Sequence, residues 1–336
     1  MRTIRKIVLQ VLVLYLLAAA GAGLAEVRAE ETTQNGRVTE ISWKDDRGEP
    51  AAGPEGYATV RYSYARNTTT ERYYDEEGTP YRMQGGYYGK AVTTEGKNRV
   101  TEIVYLDENG EKTMTEMGYA RVMMNYMSSG DITYIGYYGL GKKRVLVPSL
   151  GYACVVTEYS STGMTRRTYQ DENGNPIDQA DGYAIIRQKL NKLHQVIRTR
   201  YEHADGTPAL CADGWYLCER ERDDKGRITA VKYYDTEEKL TDRGAGYAWE
   251  EYRYSDGTVT VTRYNLQGEQ VPVSGDAVSI LRRMAEDRIT EETYLDEAGD
   301  PVNGAKGYSR IAYTYDEAGM LTGTACYDVY GNVIAP

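Results

Sequence analysis

Residues 293–319, TYLDEAGDPVNGAKGYSRIAYTYDEAG, crowd Asp296, Glu297, Asp300 and Asp316 around a Gly-Tyr pair. Carboxylates at this density suit two kinds of chemistry. Paired, they can exchange protons with a substrate; convergent, they can hold calcium through oxygen ligands. The remaining chemical inventory is thin: two histidines, His194 and His203, and four cysteines at 154, 211, 218 and 326. No Ser-His-Asp spacing, His-rich metal pattern or CxxC pair accompanies them. Asp171-Glu172-Asn173-Gly174 and Asp296-Glu297-Ala298-Gly299 place glycine fourth and lack the closing glutamate of an EF-hand. The expectation is therefore no catalytic residue, no cofactor and no metal. Cys211 and Cys218 are close enough in sequence to bridge across the loop before Trp215, which makes them a candidate disulfide.

The elements that position these residues recur along the chain. The aromatic before each acidic turn appears at Trp43, Tyr73, Tyr105, Tyr137, Tyr169, Tyr201, Tyr233, Tyr264 and Tyr294, at intervals of 30 to 32 residues, and Cys326 takes that place in a final half unit. About fourteen residues later comes a Gly-aromatic pair: Tyr57, Tyr87, Tyr119, Tyr152, Tyr183, Trp215, Tyr247 and Tyr308; the eighth unit has Gly275-Asp276-Ala277 instead. This is a tandem repeat. In register it reads [VI]-T-x-x-x-Y-x-D-x-x-G-x-P, a loop, G-Y-A, then an alternating run to a second turn. His203 falls at the turn position of the sixth unit and His194 at the second turn of the fifth, so both read as turn residues.

The threonine is preceded by an apolar residue such as Val38, Val100, Ile228 or Ile289. Adjacent strand positions face opposite sides of a sheet, so the pattern predicts the apolar residue on one face and threonine with the anchor aromatic on the other. Stacked units would then carry threonine ladders and tyrosine rows. Asp-x-x-Gly is turn chemistry: aspartate caps backbone amides and glycine accepts positive φ. Each unit is thus two strands and two turns. A lone hairpin is marginal in water, so units must bury their apolar faces on their neighbours. The expected fold is all-β, an elongated tandem repeat of antiparallel β-hairpins of about nine and a half units, solenoid-like or an extended twisted sheet. A closed propeller is disfavoured, because its blades need four strands and about 40 residues. A short patch over 185–193 reads as a divergent strand.

Thirty-three tyrosines and no phenylalanine suit half-exposed sheet faces, where hydroxyls find partners. A formal charge of −10 argues against nucleic acid as a partner. Residues 1–25 carry Arg2, Arg5 and Lys6, an apolar run and then small residues, the pattern of a signal peptide; an uncleaved anchor is the rival reading, with membrane contact only through residues 7–25. Residues 26–36 read as a short linker and 37–336 as the repeat domain.

Tyr315-Asp316-Glu317-Ala318-Gly319-Met320-Leu321-Thr322 resembles the YD repeat of Rhs-type bacterial surface and toxin proteins. The resemblance implies an extracellular hairpin repeat that builds a long curved sheet, which in that family can form a shell around a toxic domain. The period here is longer and the Gly-Tyr-Ala half is extra. More loosely, Tyr73-Tyr74-Asp75-Glu76-Glu77-Gly78 and Gly214-Trp215-Tyr216 resemble aromatic cell-wall-binding repeats. The functional expectation is an exported, non-catalytic, secreted or cell-surface scaffold. Its candidate binding residues are the anchor aromatics, and its partner is cell-wall glycan or another surface protein. The alternatives are a structural spacer or protein-binding surface without a small ligand and, third, an enzyme.

Overall fold

The computed structural model describes residues 27–335 apart from 97, 162–163 and 286–287. The chain divides into two compact bodies, 1–149 and 150–336, and is all-β, with no helix among the described residues. In the first body the strands are β1 (Arg28–Gln34), β2 (Arg37–Lys44), β3 (Thr59–Ala65), β4 (Thr68–Tyr74), β5 (Gly89–Glu95), β6 (Arg99–Leu106), β7 (Arg121–Tyr126) and β8 (Ile132–Tyr138). In the second they are β9 (Cys154–Tyr159), β10 (Met164–Gln170), β11 (Ile185–Leu190), β12 (Val196–Glu202), β13 (Leu217–Arg222), β14 (Ile228–Tyr234) and β15 (Trp249–Ser255). It continues with β16 (Thr258–Tyr264), β17 (Ser279–Ala285), β18 (Arg288–Leu295), β19 (Arg310–Tyr315), β20 (Leu321–Tyr327) and β21 (Val333–Ile334). Within each body, strands pair antiparallel in chain order, as hairpins joined edge to edge: β1 with β2, β2 with β3, β3 with β4 and onward. The 185–193 patch is strand β11, as its pattern predicts.

Two departures from the sequence reading have physical causes. Residues 28–34, read as part of a linker, form β1 and complete the first hairpin with β2. Their sequence, RAEETTQ, is polar because most of this edge strand faces solvent, so no apolar alternation marks it. Backbone pairing and the Lys44–Glu30 ion pair, at 2.8 Å, hold it instead.

The recurrent threonine forms no ladder. In seven hairpins the register slips at that residue, leaving Thr39, Thr101, Thr133, Ile197, Thr229, Thr290 and Thr322 as bulge residues without an opposite number. A bulge leaves local polar groups to be satisfied, and the threonine hydroxyl does this: Thr39 Oγ1 donates to Thr32 O and Thr101 Oγ1 to Thr93 O, both at 3.3 Å. The extra residue also reverses the alternation. Val38 accordingly packs with Ile41, Val60 and Tyr73, and Ile228 with Trp215 and Tyr233, on the anchor's face rather than the opposite one.

The long connection after each returning strand folds back over the end of the sheet through two turns. In the first, one aspartate oxygen caps the loop: Asp296 Oδ1 accepts from the amides of Ala298 and Asp300, both at 2.9 Å. Asp45, Asp75, Asp107, Asp171, Asp235 and Asp328 repeat the arrangement. The second turn closes on Gly-Tyr-Ala. Ala58, Ala120, Ala153, Ala184 and Ala248 are fully buried there. The backbone of Ala58 links two returning strands, accepting from Trp43 N at 2.8 Å and donating to Tyr74 O at 2.9 Å. Tyr88 and Tyr216 make the same two backbone bonds in their units, so the crossing is set by the backbone and also admits a larger side chain.

At the equivalent turn in the β11–β12 hairpin, Asn191 is the cap and His194 occupies the glycine position with φ 57°. Left-handed backbone costs a β-carbon-bearing residue roughly 1–2 kcal/mol. His194 is exposed and caps nothing, so His194→Gly is expected to stabilise the chain by about 0.5–1 kcal/mol after the added unfolded-state entropy of glycine is subtracted. Gly110→Ala, at φ 87°, should destabilise by a similar amount or more. Urea midpoints that move in opposite directions meet the expectation; a lower midpoint for His194→Gly contradicts it.

Candidate functional site

The anchor aromatics do not stand alone on their face. The outgoing strand of each next hairpin inserts its Gly-aromatic between two anchors, so rings alternate strand by strand. The glycine makes this possible: Gly86, at φ 81°, ends its turn in a conformation that directs Tyr87 back over the sheet, and a Cβ there would meet Glu116 Cγ at 2.8 Å. In the first body the row runs Tyr57, Tyr73, Tyr87, Tyr105, Tyr119, Tyr137, with centroids 5.0, 6.3, 4.9, 5.8 and 5.0 Å apart in tilted or edge-to-face contact. Trp43 lies at its start against the backbone of Gly53. In the second body it runs Tyr152, Tyr169, Tyr183, Tyr201, Trp215, Tyr233, Tyr247, with spacings of 4.9, 6.0, 4.3, 5.0, 5.5 and 6.0 Å.

Tyr264 is not in this row. The pairing register puts it opposite Trp249, as Tyr234 lies opposite Leu217 and Tyr74 opposite Thr59, which leaves Arg263 at the anchor position. Consecutive aromatic-rich positions allow this one-residue slip in a sequence alignment, and strand alternation then places Tyr264 on the other face. There it stacks on Trp249 at 5.1 Å and 13°. Arg263 fills the vacated slot, its guanidinium 4.7 Å from the Tyr247 ring centre and 3.0 Å from Glu250. Beyond it Ala277 is fully buried where an aromatic would stand, and Tyr294 pairs with Tyr308 at 6.0 Å.

None of the anchor rings is exposed: Tyr73 and Tyr233 are buried and the others half-buried. Of the anchors, Tyr73 has its hydroxyl on an acid, and Tyr252 and Tyr313, outside the row, do the same. Tyr73 donates to Glu71 at 2.7 Å, Tyr252 to Glu250 at 2.9 Å and Tyr313 to Glu292 at 2.6 Å. Burial, reinforced by nearby Glu71, pushes the Tyr73 hydroxyl far above its ordinary range. Burial also raises Tyr105, Tyr201 and Tyr233, and lifts Tyr183 to about 12. Cys211 and Cys218 are free thiols in the cluster around Trp215, Tyr233 and Tyr247, and burial lifts Cys218 to about 11. No group of three or more acidic, histidine or cysteine side chains among the described residues could hold a metal ion. His203 stands at its turn position through its backbone bonds to Thr207 and Gly206, and its ring pairs with Asp178 at 2.7 Å.

A second tyrosine set lies at the hairpin ends and carries a signal the motif reading did not use. An arginine precedes the bulge of one hairpin, and a tyrosine 27 residues later closes the next outgoing strand. Arg37 lies over Tyr64 at 5.1 Å, Arg227 over Tyr254 at 4.1 Å and Arg288 over Tyr315 at 5.7 Å. The hydroxyls of Tyr64, Tyr126 and Tyr315 donate to the carbonyls of Val38, Val100 and Ile289, each at 2.7 Å. At this same level lie two open grooves. One is bordered by Arg37, Tyr64, Arg66, Asn67 and Thr68, the other by Tyr159, Thr165, Arg166 and Arg187. Tyr64 and Tyr159 remain 38% and 37% exposed, so these rings, unlike the row, keep surface for a ligand.

No family model matches the chain, and no curated protein matches it.

The hydroxyl shifts fix a pH dependence. Tyr73, Tyr105, Tyr183, Tyr201 and Tyr233 resist ionisation while folded, so their contribution is complete below the unfolded tyrosine value near 10 and is lost as pH rises above it. The turn aspartates behave oppositely. Hydrogen bonds from the Thr79, Asn175 and Asn332 side chains hold Asp75, Asp171 and Asp328 below the ordinary carboxylate range, so their contribution is lost as pH falls below about 4. A stability plateau between about pH 4 and 10 is expected, with tyrosinate absorbance from Tyr73, Tyr105, Tyr183, Tyr201 and Tyr233 appearing only together with unfolding. Within the plateau, Tyr105→Ala should cost about 3–5 kcal/mol. Tyrosinate formation in the folded chain at its unshifted pH, or a neutral Tyr105→Ala, would contradict this account.

Proposed function

We propose that this chain is an exported, non-catalytic repeat scaffold that acts in binding or adhesion at the cell surface, with cell-wall glycan as its ligand class. The observation that carries the reading is the division of labour among repeated residues. Of the aspartates that look catalytic, Asp296 and Asp316 are each committed to capping one turn, and the row tyrosines are committed to each other. What the hairpins leave available is a series of hairpin ends, where half-exposed tyrosines sit beside arginine and threonine. Aromatic surface with a few polar groups is a ligand-binding composition, and weak sites repeated along one chain gain affinity through avidity. The resemblance to YD and cell-wall-binding repeats supports the same setting.

A second reading, a structural spacer or protein-binding surface without a small ligand, is favoured by one specific observation: the anchor rings proposed as a binding row pack between hairpins. The two readings separate by where tyrosine matters. Pull-down of the chain against purified cell wall and a polysaccharide panel should retain the wild type and Tyr105→Phe alike, and should lose Tyr64→Ser and Tyr159→Ser several-fold. Retention on none of these materials would sink the glycan reading and leave the spacer.

A further inference from the structure

We infer that the groove at the ends of β2, β3 and β4 is a binding site for one acidic sugar ring, an oxyanion carried on a hydroxylated ring. The inference rests on the glycan reading above and names the charge and the place of that ligand.

The groove has a volume of about 340 Å³, at the lower end of the range for small-molecule sites. Its border holds two arginines, Arg37 and Arg66, and no acid. Neither guanidinium has an ion-pair partner among the described residues. Most strand arginines of this chain, whose formal charge is −10, face glutamates; Arg61 meets Glu40 at 2.9 Å and Arg121 meets Glu102 at 3.3 Å, whereas Arg37, like Arg99 and Arg288 at the same place in their hairpins, has no such partner among the described residues. The companion groove at Tyr159 shows the neutralised form. There Arg166 pairs with Glu158 at 3.4 Å and Arg187 is held by both oxygens of Glu202, at 2.7 and 2.8 Å.

The other parts of the groove fit a sugar. Tyr64 is fixed by its hydroxyl on Val38 O and keeps 38% of its surface exposed. Arg37 lies over part of the ring, 5.1 Å from its centre, and the exposed remainder offers an immobile apolar patch for the C–H face of a sugar, which costs little side-chain entropy on binding. The pair Thr68 Oγ1···Thr93 Oγ1, at 2.9 Å, and the amide of Asn67, anchored on Thr94 O at 2.8 Å, supply hydroxyl and carbonyl groups beside it. Guanidinium forks match carboxylate and phosphate oxygens in two parallel hydrogen bonds. An uncharged sugar would leave both arginines unused; a bare anion would leave Tyr64 unused.

The test is titration of the full chain with trigalacturonic acid, glucose 6-phosphate, neutral galactotriose and inorganic phosphate, followed by calorimetry and saturation-transfer NMR. At least one acidic sugar should bind about tenfold or more tighter than galactotriose and than inorganic phosphate, and weaken as salt rises. Which acidic sugar is preferred tells a uronate polymer from a phosphate-bearing one. Arg37→Gln/Arg66→Gln should lose about tenfold or more, and Arg66→Asn, which tolerates the φ of 55° at that position, should lose part of it with an unchanged melting midpoint. Equal binding of neutral and acidic sugars, or an unaffected Arg66→Asn, would overturn the inference. Cell-wall retention measured in parallel separates the two failures. Wild type and Arg37→Gln/Arg66→Gln retained equally would reject the groove and keep the scaffold. Acidic-sugar binding without wall retention would keep the groove and reject the cell-wall setting.

Discussion

Everything in each body depends on the contact between a ring on a returning strand and a ring on the next outgoing strand. Neighbouring strands lie about 4.8 Å apart, so equivalent positions of successive hairpins, two strands apart, are separated by about 9–10 Å. Anchor rings alone could not touch across that distance. The Gly-aromatic halves it, and the observed spacings of 4.3 to 6.3 Å are those of one strand step. Edge-to-face and tilted contacts in this range contribute about 0.5–1.5 kcal/mol each beyond burial. A hairpin that cannot stand alone therefore holds its neighbour through the same joint, repeated. Tyrosine rather than phenylalanine serves because the rings lie on a sheet face bordered by glutamates, where a hydroxyl can be satisfied, as Tyr73 is by Glu71.

The same economy explains the acidic turns. A connection that doubles back over the sheet exposes amide groups that no strand can pair, and one carboxylate oxygen accepts two of them. Asparagine does the work equally well at Asn191 and Asn265, with bonds of 2.9 to 3.0 Å. A neutral amide would not replace a carboxylate whose task was proton transfer. Substitution by asparagine thus fits a geometric role, which two of the carboxylates of residues 293–319 share: Asp296 and Asp316 each cap a turn.

Much of this was legible in the sequence. The period, the hairpins, the turn roles of aspartate and glycine, and the placement of His194 and His203 follow from spacing and turn chemistry. Three things were not legible, each for a definable reason. The bulge at threonine is invisible because one extra residue in one strand disappears into a repeat interval that already varies from 30 to 32 residues, while reversing which residues share a face. Strand β1 is invisible because an edge strand facing solvent needs no apolar residues. The displacement of Tyr264 is invisible because Arg263-Tyr264 offers an aromatic one position late, and only the partner strand decides the register.

That displaced unit shows where function can arise in a repeat. At Arg263 the row loses a ring and a guanidinium lies over Tyr247 instead, paired with a glutamate, so the substitution is absorbed into the structural joint. Arg243 is absorbed in the same way, lying 5.0 Å from Tyr233 and 5.3 Å from Tyr247. Positions fixed by the repeat are spoken for: their hydrogen bonds and ring faces meet partners supplied by the next hairpin. Arg66 differs in kind, because it sits in a tight turn where the repeat makes no structural demand for a cation and supplies no acid to meet one. A charge placed where the architecture neither needs nor neutralises it is the feature that the packing of hairpins leaves unexplained.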